Sequence, residues 1–303
     1  MKNLIFRKDG TAQGVAKQRL VETLAQPNQR IIDDPYAHHF VFGASIIKQM
    51  GHAFNVWLTH KVMPGLHEHL IARTRFIDDL VEKWTAHQAE QYVILGAGYD
   101  SRAHRLTLPP TLKIFEVDQL EVQNRKRSKL PHHLAHSENI TYVSVDFSHQ
   151  TLKNQLLDAG YNPNKSTLFT LEGVSQYITK DALSLTLADV AELTQKTKST
   201  LCISYVNTGL LDNPKAYLGR GYPYPARRVF LIKEAVARLG EPWISFYSNQ
   251  EMEDVLSSSG FLLTENKTLA DLNSHYFTPV GRPLSEHHLM NLEHFVVAQN
   301  YVK

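Results

Sequence analysis

The stretch Gln91-Tyr-Val-Ile-Leu-Gly-Ala-Gly-Tyr-Asp-Ser-Arg102 stops a short apolar run at two glycines and follows them with an acid and a hydroxyl. Tyr92 to Leu95 are β-prone and bounded by turn residues, which predicts a strand buried on both faces. Gly96 and Gly98 let the backbone turn tightly and approach a ligand with no Cβ between them. A nucleotide-type cofactor suits such a turn. A dinucleotide fingerprint asks for glycine or alanine three residues after Gly98, where this chain has Ser101. That weakens a nicotinamide reading and favours a nucleoside cofactor without a pyrophosphate, a description that S-adenosylmethionine fits.

Two later predicted strands also end in acids. Phe115-Glu-Val-Asp118 places Asp118 or Glu116 where open α/β sheets hold ribose hydroxyls with a carboxylate. Ser144-Val-Asp-Phe147 offers Asp146 for an adenine amine and Phe147 for the adenine face. Any one of these acids is also an ordinary helix cap. Their succession at three consecutive strand ends is what favours a ligand.

These strand ends need a frame, and the hydrophobic pattern supplies one. From Thr11 to about Ala89 the chain reads as helix: one capped by Thr11 and stopping near Pro27, one opened by Asp33-Asp-Pro-Tyr36 and running toward Ile47, and one beginning at Pro64. Beyond Arg102, strands at Lys113–Val117, Ile140–Val145, Thr167–Leu171 and Thr200–Val206 alternate with helices. This βαβ alternation predicts an α/β fold with an open, mostly parallel sheet covered by helices on both faces. Residues 207–226 are rich in Gly, Pro and Tyr and read as a lid-like excursion, followed by a helix at Val229–Leu239. A short helix capped by Asn249 and strands at Phe261–Thr264 and His294–Ala298 complete the chain. Residues 1–303 are therefore expected to form one domain, with 11–89 as a helical cap.

Composition narrows the classes. The single cysteine, Cys202, excludes an internal disulfide, and the formal charge of +2 implies no nucleic-acid footprint. No run is long and apolar enough to span a bilayer, so a cytoplasmic, non-membrane protein is expected. Sixteen histidines include His67-Glu-His69, His132-His133 with His136, and His287-His288, but none has a neighbouring set that completes a metal site, and they read as surface residues with no metal. A hydrolase is disfavoured because Gly173-Val-Ser175 is followed by Gln and Tyr, not by the glycine of a nucleophile elbow.

Taken together, Leu95-Gly-Ala-Gly-Tyr-Asp-Ser-Arg102 with Arg105-Leu106, Phe115-Glu-Val-Asp118 and Leu171-Glu-Gly-Val-Ser-Gln-Tyr177 resemble the leucine carboxyl methyltransferase (Ppm1-like) family. Upstream, Asp34-Pro-Tyr-Ala37, Ala72-Arg-Thr-Arg75 and Asp78-Asp79 resemble its N-terminal helical region, so the likeness runs from about Thr11 to the fifth strand. The resemblance implies a Rossmann-like class I methyltransferase fold with a seven-stranded sheet, S-adenosylmethionine as cofactor, and O-methyl transfer. It implies that Arg73 takes the cofactor carboxylate, Gly96, Gly98 and Asp100 border the methionine part, Asp118 the ribose, and Asp146 with Phe147 the adenine. Glu172 is then placed near the cofactor amine or the transferred methyl, and Tyr177 beside the acceptor; these two are the candidate catalytic residues.

An activated methyl group leaves the protein chiefly to align the acceptor and exclude water. A carboxylate needs no general base, whereas an alcohol or phenol gains from one. Glu172 is the nearest base by motif, yet it cannot easily also hold the cofactor amine. That tension favours a carboxylate or acidic hydroxyl, on a small molecule or a protein terminus. Arg220, Arg227 and Arg228 beside Tyr217, Tyr222 and Tyr224 are candidates to grip such an acceptor. Two alternatives stand beside this reading: a catalytically silent regulatory protein that retains the cofactor site, and an NAD(P)-dependent oxidoreductase.

Overall fold

The computed structural model describes residues 10–145 and 150–301. Seven strands form one sheet: β1 (Gln91–Leu95), β2 (Lys113–Asp118), β3 (Ile140–Ser144), β4 (Thr167–Leu171), β5 (Thr200–Val206), β6 (Phe261–Lys267) and β7 (Glu293–Asn300). Their order is β3-β2-β1-β4-β5-β7-β6, and β7 runs antiparallel to both of its neighbours. The first five strands pair in parallel. Successive residues point to opposite faces, so Val93, Leu95, Phe115 and Phe169 enter one core layer and Tyr92, Ile94, Ile114 and Leu168 the other. All five residues of β1 and of β4 are buried, which explains runs with no polar alternation.

Eight longer helices surround the sheet: α1 (Gly10–Thr23), α2 (Ala44–Val62), α3 (Leu66–His87), α4 (Leu120–Lys129), α5 (Leu152–Asp158), α6 (Lys180–Leu193), α7 (Pro225–Arg238) and α8 (Asn249–Ser258). Three differences from the sequence expectation have local causes. Asp34 does accept from the backbone of Tyr36 and Ala37 (3.1 and 3.0 Å), but the helix it opens covers only Ala37–Phe40. The chain is extended at Val41 and restarts through Gly43 at φ 70°, so α2 is a separate helix. Thr11 lies inside α1 and not at its cap, with its backbone N–H donating to Glu241 (3.2 Å). Ser248, not Asn249, caps α8, in a reciprocal pairing with Glu251.

The excursion carries two short helices, Gly209–Asp212 and Pro214–Leu218, and then enters α7 at Pro225. No helix among the described residues is long and apolar enough to cross a membrane. Strand order reverses between β1 and β4, and open α/β sheets bind ligands in the crevice that such a reversal leaves at the carboxyl ends of the strands.

Candidate active site

A cavity of about 380 Å³ opens at that reversal. The turn after β1 forms its floor. Gly96 and Gly98 take φ values of 68° and 45°, the left-handed region that disfavours any side chain. A Cβ at Gly96 would lie 2.4 Å from Val174 Cγ2, so glycine there is demanded by space as well as by conformation. At Gly98 the nearest heavy atom would be 3.8 Å away, and only conformation demands it.

Helical spacing supplies two walls. Leu66, Leu70 and Arg73 present one face of α3, and Ile232, Ala235, Val236 and Leu239 present one face of α7 and its end. Thr11, Val15 and Gln18 of α1 close a third side, and Glu172 to Tyr177 after β4 a fourth. Tyr177 ends a single 3-10 turn, and burial raises its phenol pKa against the opposing influence of Trp243 and Thr11.

Charge is concentrated around Arg73. Its Nε donates to Glu172 Oε1 (2.9 Å) and its Nη1 to Glu293, while its Nη2 donates to no described residue. Arg102 Nη1 donates to the other oxygen of Glu172 (2.6 Å), and to Asp100. Glu172 is therefore held by two guanidinium groups at once. Burial alone would raise its pKa, but Arg102 and Arg73 outweigh burial and hold the carboxyl below its ordinary range. Glu293 behaves alike: burial opposes ionisation, Arg73 and then His69 favour it, and the pKa is lowered to about 2. Among the described residues, no histidine, lysine or cysteine lines the cavity.

The same network locks the helical region to the glycine turn. Arg19 of α1 donates to Asp34 (2.8 Å) and to the carbonyl of Tyr99 (2.5 Å), and Ser101 Oγ donates to the same Asp34 oxygen (2.6 Å). Arg105 and Arg102 both donate to Asp78 Oδ1 (2.6 and 2.7 Å). Ser101, which breaks the dinucleotide fingerprint, thus anchors α1 and Asp34 to the turn. Within Ala72-Arg-Thr-Arg75 and Asp78-Asp79 the inward partners are Arg73 and Asp78, whereas Arg75 and Asp79 pair with each other (2.6 Å) at the surface.

Of the residues expected from sequence, the structure brings Arg73, Gly96, Gly98, Asp100, Glu172 and Tyr177 to one cavity. Asp118 is not among the residues lining the cavity; its two oxygens accept from the backbone of Gly98 (2.6 Å) and Gln119 (2.7 Å). Glu116 is not available to a ribose: it is buried against Lys126 (2.6 Å). Asp146 and Phe147 lie outside the described residues. None of Arg220, Arg227 and Arg228 borders this cavity; Arg227 and Arg228 line a separate cleft with Tyr222 and Tyr224, and Arg220 pairs with Glu286 (2.8 Å). His67 and His69 are not surface residues but fully buried, on Glu22 and Glu293. Glu22, His52 and His67 bring donor atoms within 4.8 Å of one another, and both Glu22 oxygens also accept from Arg282 (2.7 and 3.2 Å).

Sequence reading missed Glu293. It begins β7, and because that strand is antiparallel its first residue lies on the rim where β1 and β4 end; Glu293 pairs in register with Val206, the last residue of β5. An acid opening the apolar run His294-Phe-Val-Val-Ala298 was the available signal.

The leucine carboxyl methyltransferase family matches residues 12–191, more than half of the chain. The chain belongs to the leucine carboxyl methyltransferase family. A putative S-adenosyl-L-methionine-dependent methyltransferase of Frankia alni is 32% identical over 251 residues, covering 82% of this chain and 85% of that protein. A putative methyltransferase of the same kind from Bacillus subtilis is 30% identical over 210 residues, covering 69% of this chain and 66% of its own length. A solved structure of a DUF574 family protein from Streptomyces avermitilis shares the fold, with a TM-score of 0.56 at 14% identity, over 94% of this chain and 97% of that one. The methyltransferase takes S-adenosylmethionine as its cofactor. Its cavity suits a group that carries both an amine and a carboxylate: bare glycine backbone on one side, and Arg73 bracketed by Glu172 and Glu293 on the other.

Proposed function

We propose that this methyltransferase moves a methyl group to an oxygen that is already ionised, a carboxylate or an acidic hydroxyl, on a largely apolar acceptor. The observation that carries this reading is that, among the described residues, every carboxylate lining the cavity is already engaged: Asp100 pairs with Arg102, which holds its pKa down at about 2 against burial. Glu172 and Glu293 are both engaged by guanidinium groups and held below the ordinary carboxylate range. Such groups are poor bases at neutral pH. The Tyr177 phenol is raised by burial and stays protonated there.

When bound, S-adenosylmethionine supplies a methyl group on a sulfonium, already activated toward an anionic nucleophile. Arg73, through its Nη2, is assigned to the cofactor carboxylate, and Glu172 with Glu293 to its ammonium. Gly96 and Gly98 offer backbone at close range, and Asp100 holds the turn by capping Arg102. Asp118 accepts from the backbone of Gly98 at the end of β2 and is assigned to the ribose. The rest of the wall, Val15, Met63, Leu66, Ile232, Val236 and Leu239, is assigned to the acceptor, where it excludes water from the reacting oxygen. Tyr177 borders that apolar part and orients the acceptor by its hydroxyl. The chain from 1 to 303 is read as one catalytic domain in which the α1 to α3 region forms the upper wall.

Incubation with methyl-labelled S-adenosylmethionine and a panel of aromatic and aliphatic carboxylic acids, with matched alcohols, tests the proposal. Label is expected in alkali-labile esters of the acids. Transfer to alcohols alone, or binding of S-adenosylhomocysteine with no transfer to any member, contradicts it; the latter result would favour a regulatory binding protein.

A further inference from the structure

Helix α2 is built inside out. Its inward side is narrow and partly polar: Ile47 and Asn55 are its buried residues, and Asn55 Nδ2 donates to the carbonyls of Ile47 and Gly51 (2.9 and 2.7 Å), holding a break at Gly51. Its outward side carries Ile46, Phe54, Trp57 and Val62, preceded by Phe42, which is 85% exposed. Phe54, Trp57, Leu58 and Val62 follow the spacing of one helix face, and all four remain exposed. An apolar face of this kind on a folded chain marks a contact surface.

Charge decides what contacts it. From Pro35 to His67 the sequence contains no Asp or Glu, while Lys48 and Lys61 flank the exposed face. Lys61 Nζ lies 5.5 Å from the centre of the Trp57 ring, which sets a cation directly against the exposed aromatic face. At the carboxyl end of α2, Tyr222 Oη donates to the carbonyl of Pro64 (2.9 Å), and the cleft of Tyr222, Tyr224, Arg227 and Arg228 adds two more cations. A two-fold pairing of α2 with its own copy would set these cations against like charges. An anionic surface complements them.

We propose that this face is a peripheral membrane-docking surface for bilayers that carry anionic headgroups: Phe54, Trp57 and Val62 enter the interface, and Lys48, Lys61, Arg227 and Arg228 meet the headgroups. Aromatic and aliphatic residues on one face with lysine at its edges are the composition of interfacial helices. Met63, one residue beyond α2, lines the cavity, so the docked face adjoins the wall assigned to the acceptor.

Co-sedimentation of the full chain with vesicles of phosphatidylcholine alone and of phosphatidylcholine mixed with phosphatidylserine tests this directly. Binding is expected only to the anionic vesicles, weakening with salt, and falling about tenfold or more in both F54S/W57S and K48E/K61E while S-adenosylhomocysteine affinity stays at the wild-type value. Absence of binding to anionic vesicles overturns the proposal, as does equal binding to neutral ones. A dimer in sedimentation velocity that F54S/W57S dissolves, without vesicle binding, would assign the face to a second copy instead.

Discussion

At the scale of single residues, Gly96 and Gly98 separate two demands that sequence merges. Both adopt positive φ, but only Gly96 faces a clash, with Val174 Cγ2 at 2.4 Å from an added Cβ. Gly98→Ala is expected to cost about 1–2 kcal/mol of stability from backbone strain, and Gly96→Ala more. Adding Val174→Ala should recover part of the Gly96→Ala loss and none of the Gly98→Ala loss, as read by chemical denaturation. Glu172→Gln and Glu293→Gln leave Arg73 with one carboxylate; each is expected to weaken S-adenosylhomocysteine binding by roughly tenfold or more, measured by calorimetry. The glycines, Arg73 and Glu172 were legible because each lies in or near a local motif. Glu293 was not, because its placement depends on the direction of β7, which no local pattern encodes. For Asp118, sequence located the strand end but not that its carboxylate would accept from the Gly98 backbone.

Among elements, the decisive joint is between α1 and the turn after β1. Arg19, Asp34 and Ser101 are each nearly or fully buried and share one carboxylate oxygen, so removing one partner leaves polar groups unsatisfied. Ser101→Ala is expected to destabilise the protein by about 1–3 kcal/mol, and Ser101→Gly, which would restore a dinucleotide-like turn, should bring no affinity for NADH. Thermal denaturation and a nucleotide titration read the two outcomes. Strands were the most legible elements, since β4 and β5 match their apolar runs from end to end. The region between Pro35 and Pro64 was least legible. Its helix α2 exposes its apolar side, so periodicity that normally reports burial reports the opposite here. The break at Gly43 depends on a backbone conformation that glycine permits but does not announce.

For the whole molecule, the buried charges set the response to acid. Glu172, Glu293 and Asp34 have pKa values lowered by their cationic partners, so their contribution is present above the ordinary carboxylate range and is lost as pH falls through the lowered values. His104 and His294 are pushed down to about 4 from 6.5, chiefly by burial; they stabilise the fold above 6.5, and that contribution is lost as pH falls toward 4. Glu116 and Asp118, raised by burial, work in the opposite direction. The midpoint of thermal unfolding should therefore begin to fall below pH 6.5, and His294→Asn should flatten the part of the decline between 6.5 and 4. The parallel pairing of the first five strands followed from βαβ alternation, whereas their order and the reversal of β7 are not encoded in the pattern of any one strand.

In the proposed reaction the acceptor oxygen arrives ionised, and no side chain among the described cavity residues removes a proton from it. The rate of methyl transfer to the best carboxylic acid of the panel, followed as a function of pH in the wild type and in Tyr177→Phe, tests it most directly. Above the acceptor's own pKa the rate should be level through neutral and mildly alkaline pH, and Tyr177→Phe should alter KM more than kcat. A rate that keeps rising with pH once the acceptor is fully ionised, and that Tyr177→Phe abolishes, would contradict the account.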